Sequence, residues 1–362
     1  MKVCNEQPPV INPQASNQPH VYIVVLNWNG WRDTIECLES VFRLDYPRFT
    51  VLVCDNASTD GSLEKIQDWA RGNVMAACSS PDLSRLIMPP ILKPIAFFPI
   101  SAADGATTQA SPDVRLVLIQ IGANLGFAGG NNVGIRYALS HGHRDYVWLL
   151  NNDTVVDPHC LSALVRMAEA DQMLGICGSL LRDYTSPHDV QSVGRRYSPW
   201  SGRTRPFQEL ATAKEDATVS GRPGYIVEGA SMLVSGKFLD RVGLLEESYF
   251  LFFEELDWIT RALPVFHFGY SPASIVYHKV GSSIGSSTAR TSRSVLSDFY
   301  QARNRLVFTG RHYPGFFPSV LAAVGASALQ RVVIGKPKNA VAIMRGVIAS
   351  FKYIWSPRQA SH

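Results

Sequence analysis

The chain has 362 residues, of which 46% are hydrophobic, and a formal net charge of +4. This length and composition are sufficient for a full-sized globular core and exclude a low-complexity protein. The six cysteines are scattered and form no C-x-x-C pair, which argues against a disulfide framework and against a zinc knuckle. We therefore expect a globular protein of a reducing compartment, with one large domain or two smaller ones.

The positive charge is concentrated at the C-terminal end. Residues 299–362 contain nine Lys or Arg and no Asp or Glu, whereas the rest of the chain has 25 bases against 30 acids. A basic arm on a mildly acidic body predicts an anionic partner, such as a membrane surface or a nucleic acid.

Strand and helix patterns alternate four times after a polar, proline-containing segment. That segment, residues 1–20, lacks the apolar core of a signal peptide, and we expect a flexible tail there. The predicted strands cover residues 21–27, 49–54, 115–120 and 146–150, and each precedes a helical spacing of apolar residues. This alternation predicts right-handed βαβ crossovers and a largely parallel, Rossmann-like sheet.

Residues 72–114 interrupt the alternation with six prolines among apolar residues. Segments of this length without regular structure are uncommon in compact domains. Two interpretations stay open, namely a flap or surface that contacts an apolar partner, and a poorly ordered insertion.

Polar residues follow two of the predicted strands directly. Asp55 ends the second strand, and Asn151, Asn152 and Asp153 end the fourth. The carboxyl ends of parallel strands are where open α/β sheets usually bind ligands. Either aspartate alone could also be a turn former or helix cap.

A glycine-rich turn, "NLGFAGGNNVG" (124–134), lies between the third strand and its helix. Its glycines permit close approach of a ligand to the backbone, and the following helix N-terminus favours an anion. The G-x-G-x-x-G pattern of dinucleotide sites is absent, which disfavours a nicotinamide cofactor.

The C-terminal part contains an apolar run (320–329) and an amphipathic segment with Val341, Met344, Ile348, Phe351 and Trp355 on one helical face. Neither reaches the roughly 20 apolar residues that a membrane-spanning helix needs. We expect the segment to lie on a bilayer surface instead, with its basic side chains reaching the headgroups.

Seven motifs along the chain, taken together, resemble family 2 glycosyltransferases of the GT-A fold, and in particular their rhamnosyltransferase-type members. They are "VVLNWNG", "LVCDNASTDGS", "NLGFAGGNNVG", "LLNNDT", "FFEELDW", "YHKVGSS" and "YQARNRL". The resemblance covers most of residues 21–310 and implies an α/β fold with a mostly parallel central sheet flanked by helices. It implies a nucleotide-sugar-binding half (21–180, with the 72–114 insertion) and an acceptor-binding half (181–310). A basic, membrane-associating helical tail (311–362) would follow.

The resemblance also implies the roles of individual residues. The nucleotide-sugar would be bordered by Asn27, Asp55, Asn124, Gly126, Phe127, Gly129, Asn131, Asn151 and Asn152. Asp153 matches the metal-binding acid of the D-x-D motif, with Asn151 in the place of its first acid. His278 would complete the shell of a Mg²⁺ or Mn²⁺ ion.

Glu255 matches the catalytic base of the family, with Glu254 and Asp257 as alternates. Arg303 would assist the leaving group or anchor its own helix. Three acids among aromatics could also be a solvated helix start.

These matches imply an inverting, metal-dependent glycosyltransferase with a nucleotide diphosphate sugar donor, for which deoxythymidine diphosphate-rhamnose is favoured. The acceptor would be a lipid-linked or polysaccharide glycan at the cytoplasmic face of the membrane, where the protein would be peripheral. Two other classes stay open. A nucleotidyltransferase should carry a basic, glycine-rich triphosphate loop, which "LNWNGWRD" does not resemble. A non-catalytic nucleotide-sugar or nucleic-acid binder is the other, although the bases of the tail are interleaved with apolar residues, which disfavours nucleic acid.

Overall fold

The computed structural model describes residues 18–355 apart from 106, 107, 109, 112, 143, 144, 208–215, 220–223, 264 and 280–292. Residues 1–17 of the predicted N-terminal tail, residues 280–283 of the "YHKVGSS" motif and residues 356–362 of the predicted C-terminal tail lie outside the described residues.

One large mixed sheet, with eleven strands in the described residues, organises the chain. The order along its main path is β11-β14-β7-β13-β5-β1-β2-β4-β3, with β6 and β8 paired at its side. The strands of this sheet are β1 (Val21–Asn27), β2 (Phe49–Asp55), β3 (Phe97–Ser101), β4 (Leu116–Gln120), β5 (Tyr146–Asn151), β6 (Thr154–Val156), β7 (Leu174–Asp183), β8 (Val190–Ser192), β11 (Ala217–Val219), β13 (Ser231–Ser235) and β14 (His267–His278). A smaller sheet contains β9 (Arg195–Ser198), β10 (Arg203–Pro206) and β12 (Tyr225–Ile226).

Helices cover both faces of the large sheet, as the sequence predicts. They are α1 (Trp31–Val41), α2 (Ser62–Arg71), α3 (Gly126–Ser140), α4 (Cys160–Ala170), α5 (Gly236–Val242), α6 (Glu254–Ala262), α7 (Val295–His312), α8 (Phe317–Val333) and α9 (Pro337–Ile354). Alternate residues of β1 enter two different apolar clusters, Val24 on one face and Ile23 and Val25 on the other. This double burial explains why the strand is a continuous apolar run.

Strand register brings the predicted polar residues to one edge of the sheet. β1 pairs in parallel with both β2 and β5. Asn27 lies opposite Asp55, and Leu26 lies opposite Asn151. The carboxyl ends of these three strands therefore meet at one edge of the sheet.

The described part of the 72–114 insertion packs against the body of the protein. It forms a short 3₁₀ helix, Pro81–Leu86, and the edge strand β3, which pairs in parallel with β4. Leu83 and Ile87 are buried in a small cluster with Tyr184. Pro99 is tolerated within β3 because an edge strand has one side without ladder partners. The described residues of the insertion are therefore not a poorly ordered segment, and the other interpretation, a flap or surface that contacts an apolar partner, stays a prediction.

The last three helices form a packed group at the end of the chain. α7 packs on α8 and α9, and the Asp298 carboxylate of α7 accepts two hydrogen bonds from Arg331 of α8 at 2.7 and 2.8 Å. The amide of Asn339 on α9 donates to the same carboxylate at 2.8 Å. One buried acid thus ties the three helices together.

The apolar stripe of α9, defined as Val341, Met344, Ile348, Phe351 and Trp355, points away from this group. All five side chains are exposed, Ile348 by 72% and Trp355 by 84%. The opposite face of α9, which includes Ala342 and Ile343, is buried against α7 and α8. The predicted stripe therefore exists as a surface feature.

The sequence prediction that no stretch is long enough to span a membrane is wrong for one segment. Among the described residues, the 20-residue helical stretch Pro314–Val333 meets the length and composition of a membrane span, and 22% of it is buried. Pro314 and Pro318 do not shorten the stretch, because they occupy initial helical turns, where proline is tolerated.

Candidate active site

A cavity of about 980 Å³ opens at the carboxyl edge of β1 and β5. Asn151, Asn152 and Asp153 line it at the end of β5, and His278 lines it at the end of β14. Glu255 reaches the same cavity from the first turn of α6. Two acids separated by about a hundred residues in the sequence thus face one space.

Asp153 and His278 form a buried pair in this cavity. Nε2 of His278 lies 3.3 Å from Oδ1 of Asp153. Nδ1 of His278 lies 2.8 Å from Oε1 of Gln191, and this contact orients the ring so that Nε2 faces the acid. Burial raises the pKa of the Asp153 carboxyl, but the hydrogen bond and charge of His278 outweigh it, so the pKa is lowered overall. Asp153 is therefore held as a carboxylate.

Asn27 and Asp55 are buried behind the wall of the cavity. The Asn27 amide donates to Oδ1 of Asp55 at 2.7 Å, and the backbone N–H of Ser58 donates to Oδ2 at 3.0 Å. Neither residue lines the cavity. Direct contact of these two residues with a nucleotide stays a prediction; in the structure they shape the turn after β2.

Asn56, which sequence reasoning did not single out, lines the cavity in place of Asp55. Its amide donates to Oδ1 of Asn124 at 3.0 Å and to the carbonyl of Gly126 at 3.2 Å. Its own Oδ1 accepts from the backbone N–H of Leu125 at 2.8 Å. Asn56 therefore fixes the glycine-rich turn. Asn124, Gly126 and Phe127 all lie on the cavity wall, and their contact with a nucleotide-sugar stays a prediction.

Gly129 and Asn131 lie inside α3 and do not line the cavity, and their predicted place beside the nucleotide-sugar stays a prediction. The Asn131 amide donates to the carbonyl of Phe127 at 2.9 Å within the first turn of α3. A Cβ on Gly129 would lie 2.7 Å from the Leu125 side chain. Both residues support the turn from behind.

The aromatic loop, residues 248–253, connects the glycine-rich turn to α6. Phe250, Phe252 and Phe253 have positive φ angles of 62°, 68° and 76°, which cost about 1 kcal/mol or more each for bulky residues. The carbonyl of Phe250 accepts from the backbone N–H of Phe127 at 2.7 Å. At Gly126, whose φ is 71°, a Cβ would lie 2.3 Å from that carbonyl oxygen, so only glycine fits.

Asn304 of α7 holds the aromatic loop in this conformation. Its buried amide nitrogen lies 2.9 Å from the carbonyl oxygen of Tyr249, 2.7 Å from that of Leu251 and 2.9 Å from that of Phe252. These carbonyls of the loop thus have hydrogen-bond donors, although the loop is not part of a β-sheet.

Arg303 supports the same loop and does not reach the cavity. Its Nη2 donates to the carbonyls of Ser248 at 2.6 Å and Tyr249 at 2.7 Å, and its guanidinium carbon lies 4.8 Å from the centre of the Tyr300 ring. The side chain is buried and does not line the cavity. Of the two predicted roles, the structure supports the anchor and not contact with a leaving group.

Asp257 is not an alternate base, because it faces away from the cavity. Its fully buried carboxylate accepts from Nε of Arg261 at 2.8 Å and lies 2.7 Å from Nε2 of His312. On a helix, a residue two positions from Glu255 points about 200° away from it. Asp257 therefore fastens α6 to α7.

Glu254 and Glu255 both line the cavity. The pKa of Glu255 is raised to about 7; burial is the largest cause and the charge of Glu228 adds to it, while a backbone hydrogen bond and the charge of Arg195 oppose it. Burial and the charge of Glu255 raise the pKa of Glu254, whose Oε2 has no hydrogen-bond partner. A Cβ on Gly229 would lie 2.2 Å from Oε1 of Glu255, so this glycine makes room for the acid.

A comparison with known protein families identifies the class of enzyme. The model of the family "Glycosyl transferase family 2" matches residues 22–77 and 103–226, which include β1, β2, β5 and Asp153. The chain belongs to glycosyltransferase family 2. The break in the match, residues 78–102, falls within the 72–114 insertion.

Individual relatives of this glycosyltransferase are distant. The low-salt glycan biosynthesis hexosyltransferase Agl10 of Haloferax volcanii is 28% identical over 144 residues, which are 40% of this chain and 45% of the relative. The match thus spans less than half the length of this curated relative.

Two solved structures are similar to this chain. The structure of GalNAc-T7 with UDP, GalNAc and Mn²⁺ aligns over 95% of this chain and 60% of that chain, with a TM-score of 0.55 and 12% identity. The mannosyltransferase PcManGT of Pyrobaculum calidifontis, in complex with GDP-Man and Mn²⁺, aligns over 96% and 91%, with a TM-score of 0.49 and 16% identity. The fold of this glycosyltransferase is the predicted GT-A fold.

Three further residues of the cavity carried no sequence signal. Gln191 orients His278, Ser192 donates to Oε1 of Glu228 at 2.6 Å, and the charge of Glu228 raises the pKa of Glu255. Each is a polar residue in a short or irregular segment without periodicity, and only the tertiary structure brings it to the site.

Replacing Asn304 with Asp should loosen the aromatic loop, because an acceptor would face three carbonyl oxygens. We expect the free energy of unfolding to fall by about 2 kcal/mol. The kcat for sugar transfer should fall at least about tenfold while the nucleotide Kd changes less than about threefold. Urea unfolding, steady-state kinetics and calorimetry measure these three quantities.

The control for this variant is Asn73→Asp, which makes the same change at an exposed position. It should leave all three quantities unchanged. Retention of the parent kcat by Asn304→Asp would show that the aromatic loop needs no such support.

Proposed function

We propose that this glycosyltransferase moves a hexose from a nucleoside diphosphate sugar to a glycan acceptor, with inversion at the anomeric carbon. The observation that carries the proposal is the placement of Asp153 and Glu255 on one cavity, the first as a carboxylate and the second as an acid of raised pKa. The hexosyltransferase description of the Agl10 relative supports a hexose. The rhamnosyltransferase-like motifs favour deoxythymidine diphosphate-rhamnose as donor.

Asp153 and His278 are the residues that would hold Mg²⁺ or Mn²⁺. Within the described residues there is no group of three or more His, Cys, Asp and Glu that could hold an ion. A carboxylate and an oriented imidazole fit such an ion when the donor phosphates and water complete its shell. When bound, the ion would neutralise the charge that develops on the leaving diphosphate.

Glu255 would accept the proton of the attacking hydroxyl. A base works best when its pKa lies near the working pH, and burial brings the Glu255 carboxyl into that range. Glu254 beside it is kept protonated by burial and by the charge of Glu255, so only one of the two acids would be the base. A direct displacement at the sugar by this activated hydroxyl inverts its configuration.

The protein would work as a peripheral protein at the cytoplasmic face of a membrane. The apolar stripe of α9 is exposed, and on α8 Leu329, Val332 and Val333 are exposed as well. Lys338, Arg345 and Lys352 are exposed near these residues and fit anionic headgroups. The acceptor would accordingly be a lipid-linked or polysaccharide glycan.

Glu255→Gln tests the base. In the parent enzyme kcat/KM should rise with pH through a midpoint near 7, because the carboxyl must lose its proton before it can accept another. The variant should lose at least about a hundredfold in kcat/KM and lose this pH dependence. The exposed Glu64→Gln serves as control. An unchanged rate in Glu255→Gln would remove this residue as the base.

Asp153→Asn tests the cation site, and the same experiment identifies the nucleobase of the donor. At about 100 times its Kd, the correct nucleoside diphosphate should stabilise the parent protein by about 2.7 kcal/mol when Mn²⁺ is present. The metal-dependent part of this stabilisation should vanish in Asp153→Asn and persist in the exposed control Asp82→Asn. Thermal unfolding with deoxythymidine, uridine and guanosine diphosphates measures it. Equal stabilisation with and without the ion in the parent would contradict metal-dependent binding.

Ile348→Glu tests the membrane surface. Removing an apolar side chain from the stripe and adding a negative charge should weaken binding to vesicles containing phosphatidylglycerol at least about tenfold. The control Leu92→Glu makes a similar change at another exposed apolar residue and should have no effect. Co-sedimentation of the full chain with vesicles measures the binding. If only detergent, and not high salt, released the parent protein from cell membranes, the result would instead indicate a spanning helix.

A further inference from the structure

The segment that the family model leaves out, residues 78–102, packs on the strands next to the candidate cation ligands. Its 3₁₀ helix contributes to a buried apolar cluster, which we call the rear cluster. The buried members of the rear cluster are Leu83, Leu86, Ile87, Val155, Tyr184 and Tyr277. Val155 lies two residues after Asp153, and Tyr277 directly precedes His278. The segment therefore packs beside the two positions that carry the candidate ligands.

A chain of hydrogen bonds leads from the segment to the same place. The backbone N–H of Ser79 donates to the Tyr184 hydroxyl at 3.2 Å, and this hydroxyl donates to Oε1 of Glu36 on α1. Glu36 is buried, and its Oε2 accepts from Nζ of Lys279. The same Nζ lies 4.7 Å from the centre of the Tyr184 ring. Tyr184 thus contacts the segment on one side and the Glu36–Lys279 pair on the other.

Lys279 and Tyr184 also hold the backbone of both candidate ligands. Lys279 directly follows His278, and its backbone N–H donates to the carbonyl oxygen of Asp153 at 3.0 Å. The backbone N–H of Tyr184 donates to the carbonyl oxygen of His278 at 3.3 Å. Residues behind a ligand set its orientation, so a shift of Tyr184 would move both ligands.

Two polar residues of α1 fix the other end of the segment. The buried Glu39 carboxylate accepts from the backbone N–H of Ile91 at 3.0 Å and from Nζ of Lys93 at 3.1 Å. Nη2 of Arg43 donates to the carbonyl of Ile87 at 2.8 Å. A buried ion pair is strongly destabilised when one partner leaves, so these contacts keep the segment on the body of the protein.

We propose that residues 78–102 position Asp153 and His278 for the cation, and that Tyr184 is the positioning residue that connects the segment to this pair. The inference rests on the proposed function, because it concerns the cation site named there, and it gives a role to a segment outside the family model. A site with one carboxylate and one imidazole depends on how those two groups are held, since few other protein ligands would compensate a displacement.

Mn²⁺ binding to the full chain, followed by the electron paramagnetic resonance signal of the free ion, tests the inference independently of sugar transfer. Tyr184→Phe keeps the ring in the rear cluster and removes the hydroxyl, and it should raise the Mn²⁺ Kd at least about tenfold. Leu83→Ala leaves a cavity in the rear cluster and should raise the Kd at least about threefold. Asp153→Asn should abolish the binding, which shows that the measured ion occupies this site.

Two control variants separate positioning from stability. Leu239→Ala removes the same atoms from a buried position of α5, and it should lower the thermal midpoint about as much as Leu83→Ala without changing the Mn²⁺ Kd. Leu92→Ala changes an exposed residue of the same segment and should leave both quantities unchanged. If Leu83→Ala does not fold, Tyr184→Phe decides.

The outcomes distinguish the inference from the proposed function. A parent protein that binds Mn²⁺ with the same Kd as Tyr184→Phe and Leu83→Ala would overturn the inference and leave the cation site standing. An equal rise of the Kd in Leu239→Ala would overturn it as well, because any loss of stability would then have the same effect. A parent protein that binds no Mn²⁺ would count against the cation site of the proposed function, and the inference would fall with it.

Discussion

The convergence of three backbone carbonyls on the Asn304 amide is the contact on which the site depends. The aromatic loop has no ladder of its own, and three of its residues occupy the left-handed region. Without the Asn304 amide, the carbonyls of Leu251 and Phe252 would lose this donor, and the strain would lose that compensation. Because Phe250 of this loop bonds to Phe127 and Glu254 follows the loop directly, one contact sets the distance between the glycine-rich turn and the acids.

The sequence predicted those parts of the fold that local patterns determine. The apolar runs of β1, β2, β4 and β5 are long and double-buried, and parallel pairing then brings their polar ends together. The position of Asp153 could be predicted because it is the first charged residue after the apolar run of β5, whereas His278 was assigned from the resemblance to family 2 glycosyltransferases. The pattern of acids near Glu255 could not show which acid faces the cavity, since α6 is fixed by the contact of Asp257 with His312 of α7, which is distant in the sequence.

The bases of the C-terminal end do not all lie on the surface, as its charge alone predicted. Arg303, Arg305 and Arg331 are buried in the helical group or at the cavity, so they are not part of a membrane-facing basic surface. The exposed apolar stripe and a few exposed bases remain for a lipid surface. Charge counted along a chain does not distinguish a cation that faces solvent from one that is buried and donates to a carbonyl or a carboxylate.

In the proposed mechanism Asp153 acts on the diphosphate that leaves the anomeric carbon, and Glu255 acts on the hydroxyl that attacks the same carbon. Anomalous diffraction from crystals grown with Mn²⁺ and a non-hydrolysable donor sugar tests it most directly. The proposed mechanism predicts an Mn²⁺ peak about 2.2 Å from a carboxylate oxygen of Asp153, with the anomeric carbon facing Glu255 across the cavity. A peak away from Asp153, or a sugar that points away from Glu255 with the nucleobase in its place, would contradict it.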